Sequence, residues 1–286
     1  MSDQKIAIVT DSSAYIPDSA LEGLNVSVIP LWLLWEGQSF RDGVDIDPVS
    51  FYQRLRQTKN LPTSSQPTVP EFEKFFEKAL EDADAIVNVL VSSKISGTID
   101  NATQAIARMP HREIRLVDAL SSSMGLGFCV LAAARAAASG ESIDAVVEAA
   151  ESMKERVHFL FVVDTLEYLH KGGRIGGAKR LMGTALKVKP ILHFTDGQID
   201  SLTSARTKRK ALAQLLEIAE ERLAGKAMME AALVDIDSPN EGDIVANMVE
   251  QRFAPSIIHR STVSPVVGTH VGPGAIGFAF YAEEQE

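Results

Sequence analysis

The sequence predicts an α/β protein of two lobes, and three observations lead to this prediction. The chain has 286 residues, more than a single domain of ordinary size contains. In its first half, short apolar runs alternate with helical patterns, which is the order of a parallel sheet flanked by helices. In its second half, Asp196-Gly197 forms a hairpin signal between two strand patterns, so that sheet is mixed. We expect an N-terminal lobe over residues 1–156 and a C-terminal α/β lobe over residues 157–286.

The elements of the first lobe follow from apolar runs and from helix start signals. Between the first two helices, the segment 62–67 is expected to be a rigid loop, because prolines restrict the backbone at both ends. Strands are predicted at 5–10, 26–35, 84–91 and 114–117. Helices are predicted at 48–56, 70–80, 98–108, 123–138 and 142–156.

The second lobe is predicted to open with a strand at 157–163, followed by a glycine-rich loop at 171–177. The amphipathic helix at 206–223 has leucines and alanine on one stripe, which indicates that one face packs on a sheet. Further strands are predicted at 189–194, 198–202, 228–236, 256–262 and 276–281, and further helices at 178–186 and 244–253.

Composition and charge exclude several classes of protein. No apolar run is long enough to cross a bilayer and no signal-peptide pattern is present, so we expect a cytoplasmic protein without stable membrane insertion. The net charge of −10 argues against a nucleic-acid-binding protein. Cys129 is the single cysteine, which excludes an internal disulfide. Its apolar surroundings favour a small buried side chain over a reactive thiol.

The charge is unevenly distributed along the chain. Residues 151–210 contain twelve Lys/Arg and six Asp/Glu, a balance of +6, so the remaining residues carry −16. Two interpretations stay open: a solvated charged face, or a docking surface for an acidic partner or a phosphate-bearing ligand.

Small hydroxyl and acidic residues follow three of the predicted strands. Asp11-Ser12-Ser13 follows the first strand, the segment 92–98 follows the third, and Asp164-Thr165 follows the strand that opens the second lobe. Because the carboxyl ends of parallel strands share one edge of a sheet, where ligands bind, these clusters predict a binding site.

The segment 92–98, SSKISGT, is the most informative of the three. Gly97 permits a close approach and Thr98 opens a predicted helix, so N–H groups and the hydroxyls of Ser93 and Ser96 suit an anion. Simple helix capping stays open, and so does a nucleophilic role for either serine. No G-x-S-x-G elbow surrounds them, however.

Cofactor and metal motifs are not evident in the sequence. The segment 172–177, GGRIGG, lacks both the Walker ending and the spacing of a dinucleotide fingerprint, so we expect no cofactor. No His, Cys, Asp or Glu set has metal-ligand spacing, so we expect no metal. His270 is expected in a loop, which makes it a better functional candidate than His158 or His193 within strand patterns.

Several motifs occur in one order over nearly the whole chain. They are IVTDSS at 8–13, TSSQP at 63–67, SSKISGT at 92–98, LxxLxKGGRI at 166–175, Lys189-Pro190, ARTK at 205–208 and GxHxGPGxxG at 268–277. Together they resemble the DegV family of fatty-acid-binding proteins over residues 5–282.

The resemblance implies two α/β lobes with a long-chain fatty acid, such as palmitate, between them. The acyl chain would lie in the first lobe and the carboxylate near the cleft. The family's carboxylate contacts map to Thr63 and Ser96, with Ser93 beside them. The family motif is usually TSQP, so the additional serine leaves the first contact open between Thr63 and Ser64.

The resemblance also implies a carrier that does no chemistry itself. In some bacteria such proteins present the fatty acid to a separate ATP-dependent kinase subunit, which phosphorylates the carboxylate. The family's cleft-lining residues map to Arg174, Arg206 and His270, and Asp11 and Ser12 are further candidates there.

Two other functions stay open at this point. One is a stand-alone hydrolase or phosphotransferase that uses Ser96 with His270. The other is a lipid-binding transport or regulatory module without a kinase partner.

Overall fold

A computed structural model of the chain describes residues 4–58, 60–183 and 188–283 and contains three sheets. A parallel sheet has the order β2-β1-β6-β7, a mixed sheet has the order β10-β9-β8-β13-β11-β12, and a small antiparallel sheet has the order β4-β3-β5. The strands are β1 (Ile6–Asp11), β2 (Val26–Ile29), β3 (Trp32–Trp35), β4 (Gln38–Arg41), β5 (Thr63–Ser65), β6 (Ala85–Leu90), β7 (Glu113–Asp118), β8 (His158–Val162), β9 (Lys189–Thr195), β10 (Gln198–Ala205), β11 (Met228–Asp235), β12 (Ile257–Thr262) and β13 (Ile276–Ala282).

Helices cover the sheets and connect their strands. Among the described residues, no helix combines the length and apolar character that a membrane span requires. The helices are α1 (Asp18–Leu21), α2 (Pro48–Leu55), α3 (Val69–Ala79), α4 (Thr98–Ala107), α5 (Ser123–Ala138), α6 (Ile143–Arg156), α7 (Glu167–Lys171), α8 (Lys208–Leu223), α9 (Pro239–Phe253) and α10 (Pro265–Val271), with a 3-10 helix at Gly176–Leu181.

The four-stranded sheet is buried on both faces. Strands β1 and β6 are buried at every position, which explains their unbroken apolar runs. One face packs on Phe72 and Phe76 of α3, and the other packs on α5. This sheet and its helices form the first lobe, and the six-stranded sheet with its helices forms the second.

Helix α5 lies between the two large sheets. It packs on β1 and β6 of the first lobe and on β8, β11 and β13 of the second. Because apolar neighbours surround it, every residue from Ser123 to Leu131 is buried. One hydrophobic cluster therefore runs through both lobes and joins them.

The six-stranded sheet has the expected antiparallel pair. Strands β9 and β10 meet at a turn in which Asp196 and Gly197 have φ angles of 48° and 79°. Two positive φ angles are the requirement of a type I′ hairpin, so the predicted turn is confirmed. Strand β13 lies in the middle of the sheet, antiparallel to both β8 and β11.

The structure corrects two predictions in the first lobe. The predicted strand at 26–35 is two strands in two sheets: Ile29 pairs with Asp11, whereas Trp32 pairs with Arg41. Pro30 lies between them and cannot donate a ladder hydrogen bond, which ends the first strand. The predicted loop at 62–67 contains β5, which pairs antiparallel with β3.

The structure also corrects predictions for two residues of the second lobe. His270 lies in α10 and not in a loop. Arg206 precedes α8, because the hydroxyl of Thr207 caps that helix and accepts from the N–H of Lys210 at 3.3 Å.

The helix predicted at 178–186 is a 3-10 helix at Gly176–Leu181, and residues 184–186 lie outside the described residues. The Asp164-Thr165 cluster follows β8, which belongs to the six-stranded sheet, so it does not share an edge with the first two clusters. The Asp164 carboxylate instead accepts from Lys189 Nζ at 2.7 Å.

Candidate functional site

A cavity lies between the two lobes. Its atom-free space is about 870 Å³, part of which is open to solvent. Three phenylalanines, Phe159, Phe161 and Phe194, form one wall, with ring centroids 5.6 to 6.3 Å apart. The apolar lining is Leu31, Val91, Ile95, Phe159, Phe161, Leu169, Phe194, Ile199, Val234, Ile236, Val263, Val266, Val267 and Val271.

Most of this apolar wall belongs to the second lobe. Of the fourteen apolar side chains that the described residues contribute, eleven lie after residue 157, and Leu31, Val91 and Ile95 come from the first lobe. The expectation of an apolar slot inside the first lobe does not match this cavity. The physical reason is that helices already fill both faces of the four-stranded sheet.

Ser64 and His270 meet in the polar part of the cavity wall. A hydrogen bond of 2.6 Å joins Ser64 Oγ to His270 Nε2, linking β5 to α10. Thr63, one residue earlier, is exposed and does not line the cavity. The structure therefore brings Ser64, and not Thr63, to the cavity.

His270 is neutral at physiological pH. Burial, and to a lesser extent the nearby Arg174 cation, lowers the pKa of His270 to about 4. Its Nδ1 atom is buried and has no hydrogen-bond partner in the described part of the chain. A Cβ atom on Gly172 would lie 2.2 Å from Nδ1, so glycine is needed there for the ring to fit.

Ser96 also lines the cavity, whereas Ser93 does not. Ser96 Oγ is 2.7 Å from Thr98 Oγ1 at the start of α4, and the N–H of Thr98 points to it at 3.4 Å. The Ser93 N–H donates instead to the Asp118 carboxylate at 3.3 Å. Ser96 is thus the serine of this segment that can contact a ligand.

Arg174 lines the cavity and holds the segment 92–98 in place. Its Nε donates to the Ile95 carbonyl at 3.0 Å, and a terminal nitrogen donates to the Gly172 carbonyl at 2.7 Å. Desolvation lowers the pKa of Arg174, and no carboxylate of the described residues pairs with it. A half-buried guanidinium that lacks an anionic partner is suited to bind an anionic ligand. Arg206, by contrast, is exposed and does not line the cavity.

Asp11 and Ser12 lie behind the cavity wall. The Asp11 carboxylate accepts from the N–H groups of Ser13 at 2.9 Å and Val91 at 2.8 Å, and burial raises its pKa. Ser12 Oγ donates to Asp42 at 2.6 Å. Neither side chain lines the cavity, so their contacts position the loops that do.

The sequence reasoning missed several polar residues of the cavity. Ser65 and Gln66 follow Ser64, and Ser122 and Ser123 begin α5. A signal for the second pair is the run SSS at 121–123, which leads into the helix predicted at 123–138. In residues 4–58, 60–183 and 188–283, no three His, Cys, Asp or Glu side chains are arranged to hold a metal ion.

The fold and the cavity define a class: a two-lobed α/β protein with a binding cavity between its lobes. The chain belongs to the DegV family, since the family model described as an uncharacterised protein of the DegV family matches residues 5–283. A DegV domain-containing protein of Listeria innocua is 35% identical over 279 residues, which cover 97% of this chain and 99% of that protein.

Solved structures of relatives have the same fold. A fatty acid binding DegV family protein from Thermus thermophilus matches with a TM-score of 0.91 and 31% identity, covering 98% of this chain and 100% of that chain. DegV from Bacillus subtilis, described as a fatty acid binding protein, matches with a TM-score of 0.89 and 32% identity over 98% of this chain and 100% of that chain. The family and the fold class that the motifs implied are therefore confirmed.

Proposed function

We propose that this chain binds one long-chain fatty acid in the cavity between its lobes. The carboxylate lies at Ser64, Ser96, His270 and Arg174, and the acyl chain lies along the phenylalanine-rich wall. One observation carries the proposal: a mainly apolar cavity contains two serine hydroxyls, a neutral histidine and a guanidinium that pairs with no carboxylate of the residues the structure describes. Similar proteins from Thermus thermophilus and Bacillus subtilis are described as fatty acid binding, which supports it.

The energetics favour such a ligand. Roughly 14 methylenes at about 0.8 kcal/mol each contribute about 11 kcal/mol before the costs of ordering the chain. Neutral hydroxyl donors and the Arg174 guanidinium then fix the carboxylate at one place.

Lipid extraction followed by mass spectrometry tests the proposal directly, with about one fatty acid expected per chain. Ser64→Ala and Ser96→Ala each remove a hydrogen bond to a charged group and are expected to weaken palmitate binding roughly 10- to 100-fold. Thr63→Ala is the matched control, because Thr63 is exposed beside Ser64. If Thr63→Ala loses palmitate binding and Ser64→Ala does not, the carboxylate does not lie in the cavity described above.

In this proposal the protein presents its ligand to a separate ATP-dependent kinase subunit. The excess positive charge of residues 151–210 supports this role, as does the exposed Arg206. Several cations of the stretch are already paired, since Lys189 and Lys208 both contact Asp164. Arg206 is therefore the better candidate for the partner's phosphates.

The kinase role has its own test. Arg206→Ala is expected to retain its fatty acid but to lose most acyl-phosphate formation when a cognate kinase subunit and ATP are supplied. Arg112→Ala, a surface arginine of the first lobe paired with Glu77, is the control and should transfer normally. Equal transfer by both variants contradicts the assignment to Arg206.

The geometry does not favour a hydrolase that uses Ser96 with His270. His270 Nε2 bonds Ser64, and Ser96 bonds Thr98. A catalytic histidine also needs a group that orients its second nitrogen, and His270 Nδ1 has no such partner among the described residues. With a pKa of about 4, His270 is in addition a weak base.

A further inference from the structure

A second polar group lies in the cavity wall at the N-terminus of α5. It consists of Ser13, Ser122 and Ser123, which all line the cavity and are 2%, 5% and 2% exposed. Their elements differ from those of the Ser64 and His270 pair, because Ser13 follows β1 and the other two begin α5. We call these three residues the serine cluster.

Two of the three hydroxyls, those of Ser122 and Ser123, make no hydrogen bond with the described residues. Ser123 Oγ is buried without a hydrogen-bond partner in the described part of the chain. Ser122 is the N-cap of α5, yet its side chain makes no capping bond. Ser13 Oγ interacts with the Asp11 carboxylate and lowers its pKa, but among the described residues it has no partner at good hydrogen-bond distance and angle.

Packing alone does not explain this arrangement. A buried hydroxyl without a partner costs free energy, whereas alanine would fill nearly the same space without that cost. Ser123 also has a φ angle of 51°, which is strained for a residue with a side chain, and its N–H donates to the Ser13 carbonyl at 3.0 Å. The backbone thus holds the two serines together at the cavity wall.

The location of the serine cluster indicates what it binds. Helix α5 is 16 residues long, and its N-terminus carries a partial positive charge that favours an oxygen acceptor. Three hydroxyls add both donors and acceptors, which suits a hydroxyl or carbonyl oxygen. A plain methylene at this place would leave the hydroxyls unpaired.

We propose that the serine cluster binds an oxygen substituent on the acyl chain, so that the preferred ligands are hydroxy or keto fatty acids. This inference rests on the proposed function, because it takes the carboxylate to lie at Ser64, Ser96 and Arg174. The cluster then selects among fatty acids by the position of the oxygen along the chain.

Competition binding tests the inference. Stearic acid, keto-stearic acids and positional isomers of hydroxystearic acid would each displace a fluorescent fatty acid from the full-length protein. We expect one isomer to bind at least as tightly as stearic acid in the wild type. Ser123→Ala and Ser13→Ala should weaken that isomer about threefold to tenfold, with stearic acid unchanged or tighter.

Ser121→Ala is the matched control. Ser121 is buried and directly precedes Ser122, but it does not line the cavity. Ser121→Ala should therefore leave the ratio of the affinity for the oxygenated isomer to that for stearic acid unchanged. Ser122→Ala provides a further variant if the strained Ser123 position does not tolerate substitution.

Two results overturn the inference. If every oxygenated isomer binds tenfold or more weakly than stearic acid, and the serine variants change no affinity, the cluster does not select an oxygen substituent. If no acid binds at all, including stearic acid, the proposed function fails as well.

Discussion

The replacement of Glu230 by glutamine should destabilise the protein in a pH-dependent manner. Glu230 lies on β11 with its side chain 8% exposed. Its carboxylate accepts from Arg135 at 2.5 and 3.1 Å, from His259 at 2.7 Å and from Tyr281 at 2.7 Å. Because Arg135 belongs to α5, this network ties the central helix to the six-stranded sheet.

The size of this destabilisation follows from the pKa of Glu230. Burial acts to raise this pKa, but the hydrogen bonds from His259, Arg135 and Tyr281 outweigh it and lower the pKa from 4.5 to about 2. A shift of this size corresponds to about 3 kcal/mol. The stabilisation is present above pH 4.5 and is lost as the pH falls towards 2, because the unfolded state then binds the proton first.

Urea unfolding at pH 7 and pH 3 measures the effect. We expect Glu230→Gln to lose about 3 kcal/mol of unfolding free energy at pH 7 and about half of that at pH 3. Glu220→Gln is the control, because Glu220 pairs with Arg252 but its side chain is 62% exposed. The Glu220→Gln protein should lose less than about 1 kcal/mol of unfolding free energy.

Two outcomes would refute the reasoning for Glu230. One is a Glu230→Gln protein within about 1 kcal/mol of the wild type at pH 7. The other is an equal loss at both pH values, which would mean that the network acts through packing and not through charge.

Three further predictions concern buried groups. Burial raises the pKa of Asp42 to about 7 despite hydrogen bonds from Ser12, Ser264 and the Val266 N–H. The wild type should therefore lose about 3 kcal/mol of stability between pH 5 and pH 8, a loss that Asp42→Asn removes in unfolding experiments. Gly172→Ala places a Cβ atom 2.2 Å from His270 Nδ1, so it should break the Ser64–His270 contact and weaken palmitate binding in titrations. Burial raises the pKa of the Cys129 thiol to about 12, so iodoacetamide should label it at pH 8 only after denaturation, as mass spectrometry would show.

The main strands could be predicted because their apolar runs are buried on both faces, as in β1 and β6. The small sheet β4-β3-β5 could not be predicted in this way. Its strands are three or four residues long and partly exposed, so they carry no clear period of two. Helix α10 was missed for a related reason, since its seven residues include Gly268 and begin at a proline.

The candidate site could be predicted in part. The motifs pointed to Ser96, Arg174 and His270, which the structure brings to one cavity. The choice between Thr63 and Ser64 depends on where β5 lies against the cavity, and that position is set by its pairing with β3 and not by the local sequence. Ser13 belongs to a polar cluster that was predicted to form a site, but Ser122 and Ser123 were missed because serines at a helix start normally serve as caps, whereas Ser122 does not.

The central place of β13 has a consequence for how the protein is made. Among the described strands β13 is the last to leave the ribosome, yet it lies between β8 and β11 and pairs with both. Until it arrives, β8 and β11 have unpaired edges and one side of α5 lacks its cover. The first lobe has all of its strands and can fold during translation, while the second must wait. A stalled chain that ends before β13 therefore exposes open strand edges, which makes it a target for chaperones and proteases.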